Sequence, residues 1–298
     1  AASLRYHEGR FYICFVANDT RKTYLYTSEK IDGPWKKQLI EGFYHDGSLL
    51  FDEDGRNYIV YGNDEIWITE LNEDLTAPKK DGLHRLLVSD HKNPELGYEG
   101  SHIQKINGYY YIFLVHSLRD RWMRTEACFY SDSLEGEFTG GDVLCDDRGY
   151  CGQGVAQGGI VDTPDGKWYA MLFQDSGAVG RIPILLPVTW KDHFPAFGQN
   201  GHVPEEIEVH STRPGYIYQP LVGSDDFCNG LLPRWQFNHD PDPRYYHLDA
   251  LQGTYTITTR EVCTELTQAV NTLTQRMSYP SCAAEVTVDA VAYTHLTL

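Results

Sequence analysis

No stretch of this chain's 298 residues is apolar over the length that a membrane span requires, and no basic surplus exists to meet a nucleic acid. Lys and Arg number 25 against 42 Asp and Glu, a formal charge of −17. DNA, RNA and anionic membrane surfaces each call for a positive stripe, so the charge argues against all three as partners; the acidity itself serves solubility. Cysteine is sparse and unpatterned. The seven copies, Cys14, Cys128, Cys145, Cys151, Cys228, Cys263 and Cys282, are odd in number and include no CxxC pair, which argues against a disulfide framework. Cys14 and Cys128 lie inside aromatic runs, where a free thiol acts as a small buried hydrophobe. Only Cys145 and Cys151 are near enough in sequence to suggest a loop bridge. HExxH and GxSxG do not occur. Gly152-Gln153-Gly154 lacks the strand-to-helix setting of a dinucleotide site, and Asp52-Glu53-Asp54-Gly55 lacks the distal Glu of a calcium loop. No long segment repeats with the 3.6-residue period, which sets an α/β fold aside.

What the chain does have is aromatic residues, 13% of the total, with 21 Tyr. They favour strands and supply flat faces for packing or for sugars. They also recur. HDGSLLFDEDG at 45–55, EGSHIQKING at 99–108 and QGGIVDTPDG at 157–166 share one frame, and AASLRYHEG opens the chain with an incomplete copy. Each frame ends in a turn glycine: Gly9, Gly55, Gly108 and Gly166. Asp-Gly and Asn-Gly between apolar runs mark hairpins, because the turn needs positive φ. An aromatic strand follows each glycine, and Thr23–Tyr26, Glu65–Ile68 and Ala127–Tyr130 read as third strands. Four strands per repeat, at a period of about fifty residues, is the pattern of a propeller blade. Four such units run from residue 1 to about 220. Beyond Pro220 the pattern changes to short alternating segments, Asp225–Phe227, Trp235–Phe237, Gly253–Ile257 and Ala284–Val288, which suit the start of a β-sandwich.

The frame also aligns polar residues. Nine positions before Gly55, Gly108 and Gly166 stand Asp46, Glu99 and Gln157, each followed by a glycine. The strand that opens a blade lines the central channel, so the three should converge at one channel mouth. Two carboxylates at one partly dry site tend to separate into an acid and an ion. Glycosidic cleavage needs that split, one group protonating the leaving oxygen and another activating water or attacking. A missing side chain beside each would let a substrate approach the backbone. Arg181, at the entry to the apolar run Ile182–Leu186, either grips a sugar hydroxyl and steers the carboxylates or is a surface charge. His45 and Gln157 join Arg181 as candidates for substrate contact.

SLRYHEGRFYI, HDGSLLFDEDGRNYIVYG, YEGSHIQKINGYYYIF, GGIVDTPDGKWYA and GRIPILLPVTW together resemble the catalytic domain of glycoside hydrolase family 43 over most of residues 3–200. Ser224 to about Ala290 resembles the concanavalin-like sandwich that follows that propeller in its β-xylosidase and arabinofuranosidase branches. The resemblance implies an all-β fold, a five-bladed β-propeller lacking its first blade over residues 1–220, then a truncated β-sandwich over 221–298. It implies an inverting, exo-acting hydrolase of xylosyl or arabinofuranosyl residues in plant poly- or oligosaccharides. Glu99 matches the general acid, Asp46 the carboxylate that tunes the acid and orients the sugar, and Arg181 an arginine of the same pocket. The family's general base is an Asp of the first blade, for which this sequence has no counterpart. No cofactor is required, and a structural calcium in the channel is an option left open. Four blades cannot close a ring built for five without exposing apolar surface, so the chain by itself is expected to be inactive and poorly folded. The opening Ala1-Ala2-Ser3-Leu4, with neither Met nor signal peptide, suggests a natural start upstream. The closing Ala292-Tyr293-Thr294-His295-Leu296-Thr297-Leu298 reads as translated adaptor. A non-catalytic carbohydrate-binding propeller and a protein-interaction propeller are the competing readings; only the enzyme needs Glu99 paired with Asp46.

Overall fold

The computed structural model describes residues 2–238, 240–277 and 281–290. The tail from Ala292 to Leu298, read above as adaptor, lies outside the described residues. The chain divides into two compact units, Ala1–Val209 and His210–Leu298.

The first unit is built from four antiparallel sheets of four strands each, every one a simple meander. β1 (Ser3–His7), β2 (Arg10–Ala17), β3 (Lys22–Ser28) and β4 (Lys36–Ile40) form the first. β5 (Ser48–Phe51), β6 (Asn57–Asn63), β7 (Glu65–Leu71) and β8 (His84–Ser89) form the second. β9 (Glu99–Ile106), β10 (Tyr109–Ser117), β11 (Arg124–Ser131) and β12 (Thr139–Leu144) form the third. β13 (Ala156–Asp162), β14 (Trp168–Asp175), β15 (Arg181–Lys191) and β16 (Phe194–Phe197) form the fourth. The predicted aromatic second strands and the three predicted third strands are all present. Each meander follows from its turns. Glu8-Gly9 and Asn107-Gly108 put both residues at positive φ (45 and 79, 51 and 86), the two-residue hairpin turn that matches strand twist. Residues 52–56 and 163–167 instead make longer loops, closed by Asp52 N–H to Arg56 O (2.9 Å) and Thr163 N–H to Lys167 O (2.8 Å). There only the glycine takes positive φ.

The opening strands β1, β5, β9 and β13 pair on one side only and pack against one another in series. Between sheets, the alternation of each strand buries one face against the next. Cys14, Leu25 and Ile40 meet Leu49 and Ile59; Tyr58, Val60 and Ile68 meet Ile103 and Ile112; Tyr111 and Phe113 meet Ile160, Ala170 and Leu172. A buried polar tie reinforces the middle seam: Asp52 accepts from Tyr110 Oη (2.5 Å) and Lys105 Nζ (2.7 Å). Burial opposes the Asp52 charge, but the Lys105 and Tyr110 bonds outweigh it and hold the carboxyl below its ordinary range.

The two terminal sheets each keep an uncovered face. On the first, the cross-strand partners Leu4, Ile13 and Tyr26, Tyr6 and Phe11, and Phe15, Tyr24 and Leu39 share one side, with Leu4, Tyr6 and Leu39 exposed. On the fourth, Val161, Tyr169 and Pro187 lie beside Met171 and Leu185, with Val161 and Met171 exposed.

The second unit holds two short ladders, β17 (Gln236–Phe237) with β20 (Leu273–Thr274) and β18 (Tyr246–Asp249) with β19 (Thr254–Ile257). Two expected strands are absent. Asp225–Phe227 is a turn, since Asp225 accepts from Phe227 N–H (2.8 Å) and Trp235 Nε1 (2.8 Å) while Phe227 takes φ 59. Ala284–Val288 pairs with no strand among the described residues, and Val286 and Val288 are exposed. The Cys145–Cys151 bridge does not form either; both are exposed free thiols.

Arg5 joins the inner strands. Its guanidinium donates to Leu49 O (3.0 Å), Ser48 Oγ (2.7 Å) and Ile103 O (2.8 Å), so one side chain of β1 reaches β5 and β9. Burial lowers its pKa to about 10, which leaves it charged at neutral pH. Arg5→Met should leave two inner carbonyls short of a donor and destabilise the first unit by about 2–4 kcal/mol. Urea unfolding followed by fluorescence checks this; an unchanged midpoint would show that Arg5 is not a structural tie.

Candidate functional site

The heads of three of the four inner strands, β5, β9 and β13, carry one residue more than the partner strand. In the third sheet Glu99 faces Val115 and His102 faces Phe113, so Gly100 and Ser101 share the place opposite Leu114. In the fourth, Ala156 faces Phe173 and Gly159 faces Met171, leaving Gln157 and Gly158 opposite Leu172. In the second, Ser48 faces Val60 while Gly62 N–H bonds His45 O (3.0 Å), leaving Asp46 and Gly47 opposite Tyr61. The same bulge therefore occurs three times. Its first residue always takes positive φ: Asp46 at 47, Gly100 at 70 and Gln157 at 68. A bulge re-aims a side chain away from the strand's alternation, and here it turns Asp46 and Gln157 towards each other.

This register corrects the count made from the turn glycines. Asp46 and Gln157 are equivalent, but their counterpart in the third sheet is Gly100. Glu99 stands one place earlier, equivalent to His45 and Ala156. The error arises because Asn107-Gly108 is a two-residue turn where the other two frames use longer loops. The glycines after Asp46, Glu99 and Gln157 also do something other than admit a substrate. A Cβ on Gly47 would lie 2.9 Å from Ile59 Cδ1, on Gly100 2.7 Å from Gln157 Cγ, and on Gly158 2.0 Å from Met171 O. They make room for the chain's own atoms.

Three of the five predicted residues form one cluster. His45 Nε2 lies 3.5 Å from Glu99 Oε2 and 3.8 Å from Asp46 Oδ2. Asn63 Nδ2 donates to Glu99 Oε2 (3.0 Å), and Gln157 Nε2 donates to Asp46 Oδ2 (3.4 Å), bringing in the fourth. Asp46 and Gln157 are buried, while His45 and Glu99 are half-buried. Deeper in, His102 is neutral: burial, then the Arg5 charge, push its pKa down to about 3.

Arg181 is placed differently. It is 58% exposed, sits on the face of Phe173 (4.4 Å) and pairs with Asp175 (3.3 Å). The buried arginine at this end is Arg124, 4% exposed, on the same ring (4.6 Å) and the same carboxylate (3.2 Å). Neither it nor Glu126 was singled out from sequence. Glu126 is wholly buried; its Oε2 accepts from Gln157 N–H (2.6 Å) and its Oε1 has no hydrogen bond. Burial raises its pKa well above the ordinary carboxylate value, against the Gln157 N–H bond and the Arg124 charge, and so favours the neutral acid. It fastens the backbone of Gln157, which in turn holds Asp46. The signal was there to read: Arg124-Thr125-Glu126 puts two charges into an otherwise apolar third strand, where only a paired or buried function explains them.

One nitrogen and two carboxylate oxygens from His45, Asp46 and Glu99 lie within 4.8 Å of one another, a set that could take a divalent ion. The same atoms are those that proton transfer would use.

Residues 1–195 match the family described as glycosyl hydrolases family 43, and residues 224–295 match the beta xylosidase C-terminal concanavalin A-like domain. The chain is 27% identical to a beta-xylosidase of Formosa agariphila, over 85% of this chain and 48% of that protein. It is 24% identical to a non-reducing end alpha-L-arabinofuranosidase of Bacteroides ovatus, over 85% and 50%. Among solved structures, a bifunctional GH43–CE protein of Bacteroides eggerthii superposes with a TM-score of 0.81 at 42% identity, covering 94% of this chain and 36% of that one. A GH43 glycoside hydrolase engineered to display both endo-xylanase and exo-arabinofuranosidase activity gives 0.75 at 28% identity, covering 93% and 55%. The chain spans about half the length of the curated relatives it matches.

The cluster has a pH signature. Contact with Glu99, opposed by burial and aided by the Asp46 charge, raises the His45 pKa above its ordinary 6.5. A raised folded value stabilises fully below the unfolded pKa and fades as pH climbs through the folded one. His45→Gln should therefore lower the melting temperature more at pH 5.5 than at pH 8.5. Equal losses at both pH values would show that the imidazolium is not held by the two carboxylates.

Proposed function

The chain belongs to glycoside hydrolase family 43, and from that premise we propose that its acid cluster is half of an inverting, exo-acting site for xylosyl or arabinofuranosyl residues. The observation that carries this reading is the joint approach of Asp46 and Glu99 to His45 Nε2, at 3.8 and 3.5 Å, at one mouth of the channel. Glu99 is the general acid. It is half-buried, held by Asn63 and open to the channel, so it can pass a proton to a leaving oxygen. Asp46, buried and steadied by Gln157, tunes the acid and orients the sugar; His45 and Gln157 border the same space, and Arg181, outside the cluster, is the arginine assigned to the sugar. Xylosidase and arabinofuranosidase names among the relatives support the pentose substrate.

Inversion needs a second carboxylate across the sugar from the acid, with room for water between them. The nearby candidates are occupied. Glu126 is buried, neutral and bound to Gln157, and Asp175 is shared by Arg124 and Arg181. The base therefore comes from a further blade, a fifth, packed against the two uncovered faces. Those faces, Leu4, Tyr6 and Leu39 on one sheet and Val161 and Met171 on another, are apolar surface of the kind that a neighbouring sheet buries. In the same way the second unit is the opening portion of a β-sandwich. Arg5 weighs against a channel calcium. It already takes Ser48 Oγ and the carbonyls of Leu49 and Ile103, and it adds a positive charge where a hard cation would need six to eight oxygens.

Two outcomes test this. In the protein carrying its base, Glu99→Ala should lower kcat/KM on xylobiose or an arabinofuranosyl disaccharide by about 10²–10⁴-fold. Unchanged turnover would leave a carbohydrate-binding propeller as the better reading. The 298 residues alone should show no turnover of 4-nitrophenyl xyloside or arabinofuranoside, and measurable turnover would place the base among residues already present.

A further inference from the structure

Exposed aromatic rings are few in the first unit. Among its described residues only the rings of Tyr6, Trp122 and Tyr150 are exposed, and Tyr6 belongs to the uncovered face of the first sheet. The remaining two, Trp122 at 39% and Tyr150 at 43%, sit on different loops at the same end of the unit, the end that carries Asp46 and Glu99. Residues 118–123 connect β10 to β11, and residues 145–155 connect β12 to β13, whose second residue is Gln157.

Both loops are fixed. Arg119 donates to Asp90 Oδ1 (2.5 Å) and His91 O (3.1 Å), and Leu96 N–H bonds Ser117 Oγ (3.0 Å), so the Trp122 loop is tied to the segment that leads into Glu99. Asp147 accepts from Gly149 N–H (2.8 Å) and Gly152 N–H (2.7 Å). Gln174 Nε2 donates to Asp147 O (2.7 Å) and Gln153 O (2.8 Å), and Arg124 N–H bonds Gly152 O (3.0 Å). The two rings also meet glycines. A Cβ on Gly152 would lie 3.2 Å from Trp122 Cδ1, and one on Gly177 would lie 3.3 Å from Tyr150 Oη. A rigid mount for solvent-facing rings is what a binding surface needs, because little ordering entropy remains to be lost.

We propose that Trp122 and Tyr150 form a stacking platform for a β-1,4-linked xylo-oligosaccharide, holding the sugars on the leaving-group side of the bond that Glu99 protonates; this rests on the acid assignment above. The chemistry selects the ligand. Xylopyranosyl rings in the chair form have all substituents equatorial, so each face offers axial C–H groups to an aromatic ring. Puckered furanosyl chains offer no such flat face. On the Trp122 loop the guanidinium groups are engaged, Arg119 by Asp90 and Arg121 by Asp120 (2.9 Å).

Calorimetric titration of the protein in the Glu99→Gln background, which prevents consumption of the ligand, tests the platform with xylohexaose, arabinohexaose and xylose. Xylohexaose should bind at least about ten-fold tighter than xylose. Trp122→Ala and Tyr150→Ala should each weaken it by about ten-fold, and Trp122→Phe should recover most of the loss. Xylohexaose affinity unchanged in Trp122→Ala, or arabinohexaose bound as tightly as xylohexaose, would overturn the proposal. Hydrolysis persisting in the Glu99→Gln protein would instead count against the acid, while the comparison between Trp122→Ala and Trp122→Phe still decides the platform.

Discussion

The site depends on one extra residue at the heads of three inner strands, β5, β9 and β13. Without the bulge, alternation would send Asp46 and Gln157 along the strand's regular pleat, and neighbouring blades could not bring their polar groups together. With it, the first bulged residue takes positive φ in three successive sheets, at Asp46, Gly100 and Gln157. The middle position shows why the three are not interchangeable. Gln157 reaches Asp46 through the space where a side chain at position 100 would stand. Glycine there meets two demands at once, the left-handed backbone and the passage of an amide. Glu99 consequently sits one residue earlier, on a strand position from which it still meets His45 and Asn63.

A strained backbone needs support from outside itself. For Gln157 that support is Glu126, a carboxyl from a third strand of the neighbouring sheet, bonded at 2.6 Å to the bulge's own N–H. Burial keeps Glu126 protonated, so the support adds no negative charge beside Asp46 and Glu99. Below this layer Arg5 supplies a buried positive charge to the carbonyls of the inner strands, and His102 stays neutral beside it. Along the inner strands a buried cation, Arg5, and two carboxylates, Asp46 and Glu99, are thus set at different levels. The dry core lies elsewhere, between the sheets.

Much of this was legible in the sequence because it is periodic. Four meanders, their turn glycines and their aromatic second strands repeat at about fifty residues, and hydrophobic alternation fixes which face each strand buries. What periodicity could not give was the difference between turns of two lengths. Counting back from Gly108 as from Gly55 and Gly166 put Glu99 level with Asp46, one residue out. Glu99 and Asp46 still approach His45 together, because each lies at the corresponding bulge of its own sheet. Arg124 and Glu126 stood out only as charges in an apolar strand, without their partners: Asp175 and Gln157 come from a different blade, and no repeat encodes a contact between unlike positions. In the second unit, Asp225 bonds locally to Phe227 and Trp235, so side-chain capping overrode a segment that reads as a strand.

The arginine pair shows how position along one ring can divide two roles. Arg124 and Arg181 share Phe173 and Asp175, yet one is buried and the other mostly in water. A single carboxylate between two guanidinium groups leaves the group with a surplus positive charge. Arg124 cannot leave, being packed under the Trp122 loop, so Asp175 is held in place by the buried member. Arg181 is held to the same carboxylate through its Nε and lies on the same ring, but mostly in water. The buried member of the pair fixes the carboxylate and the ring, and the exposed one is positioned by both.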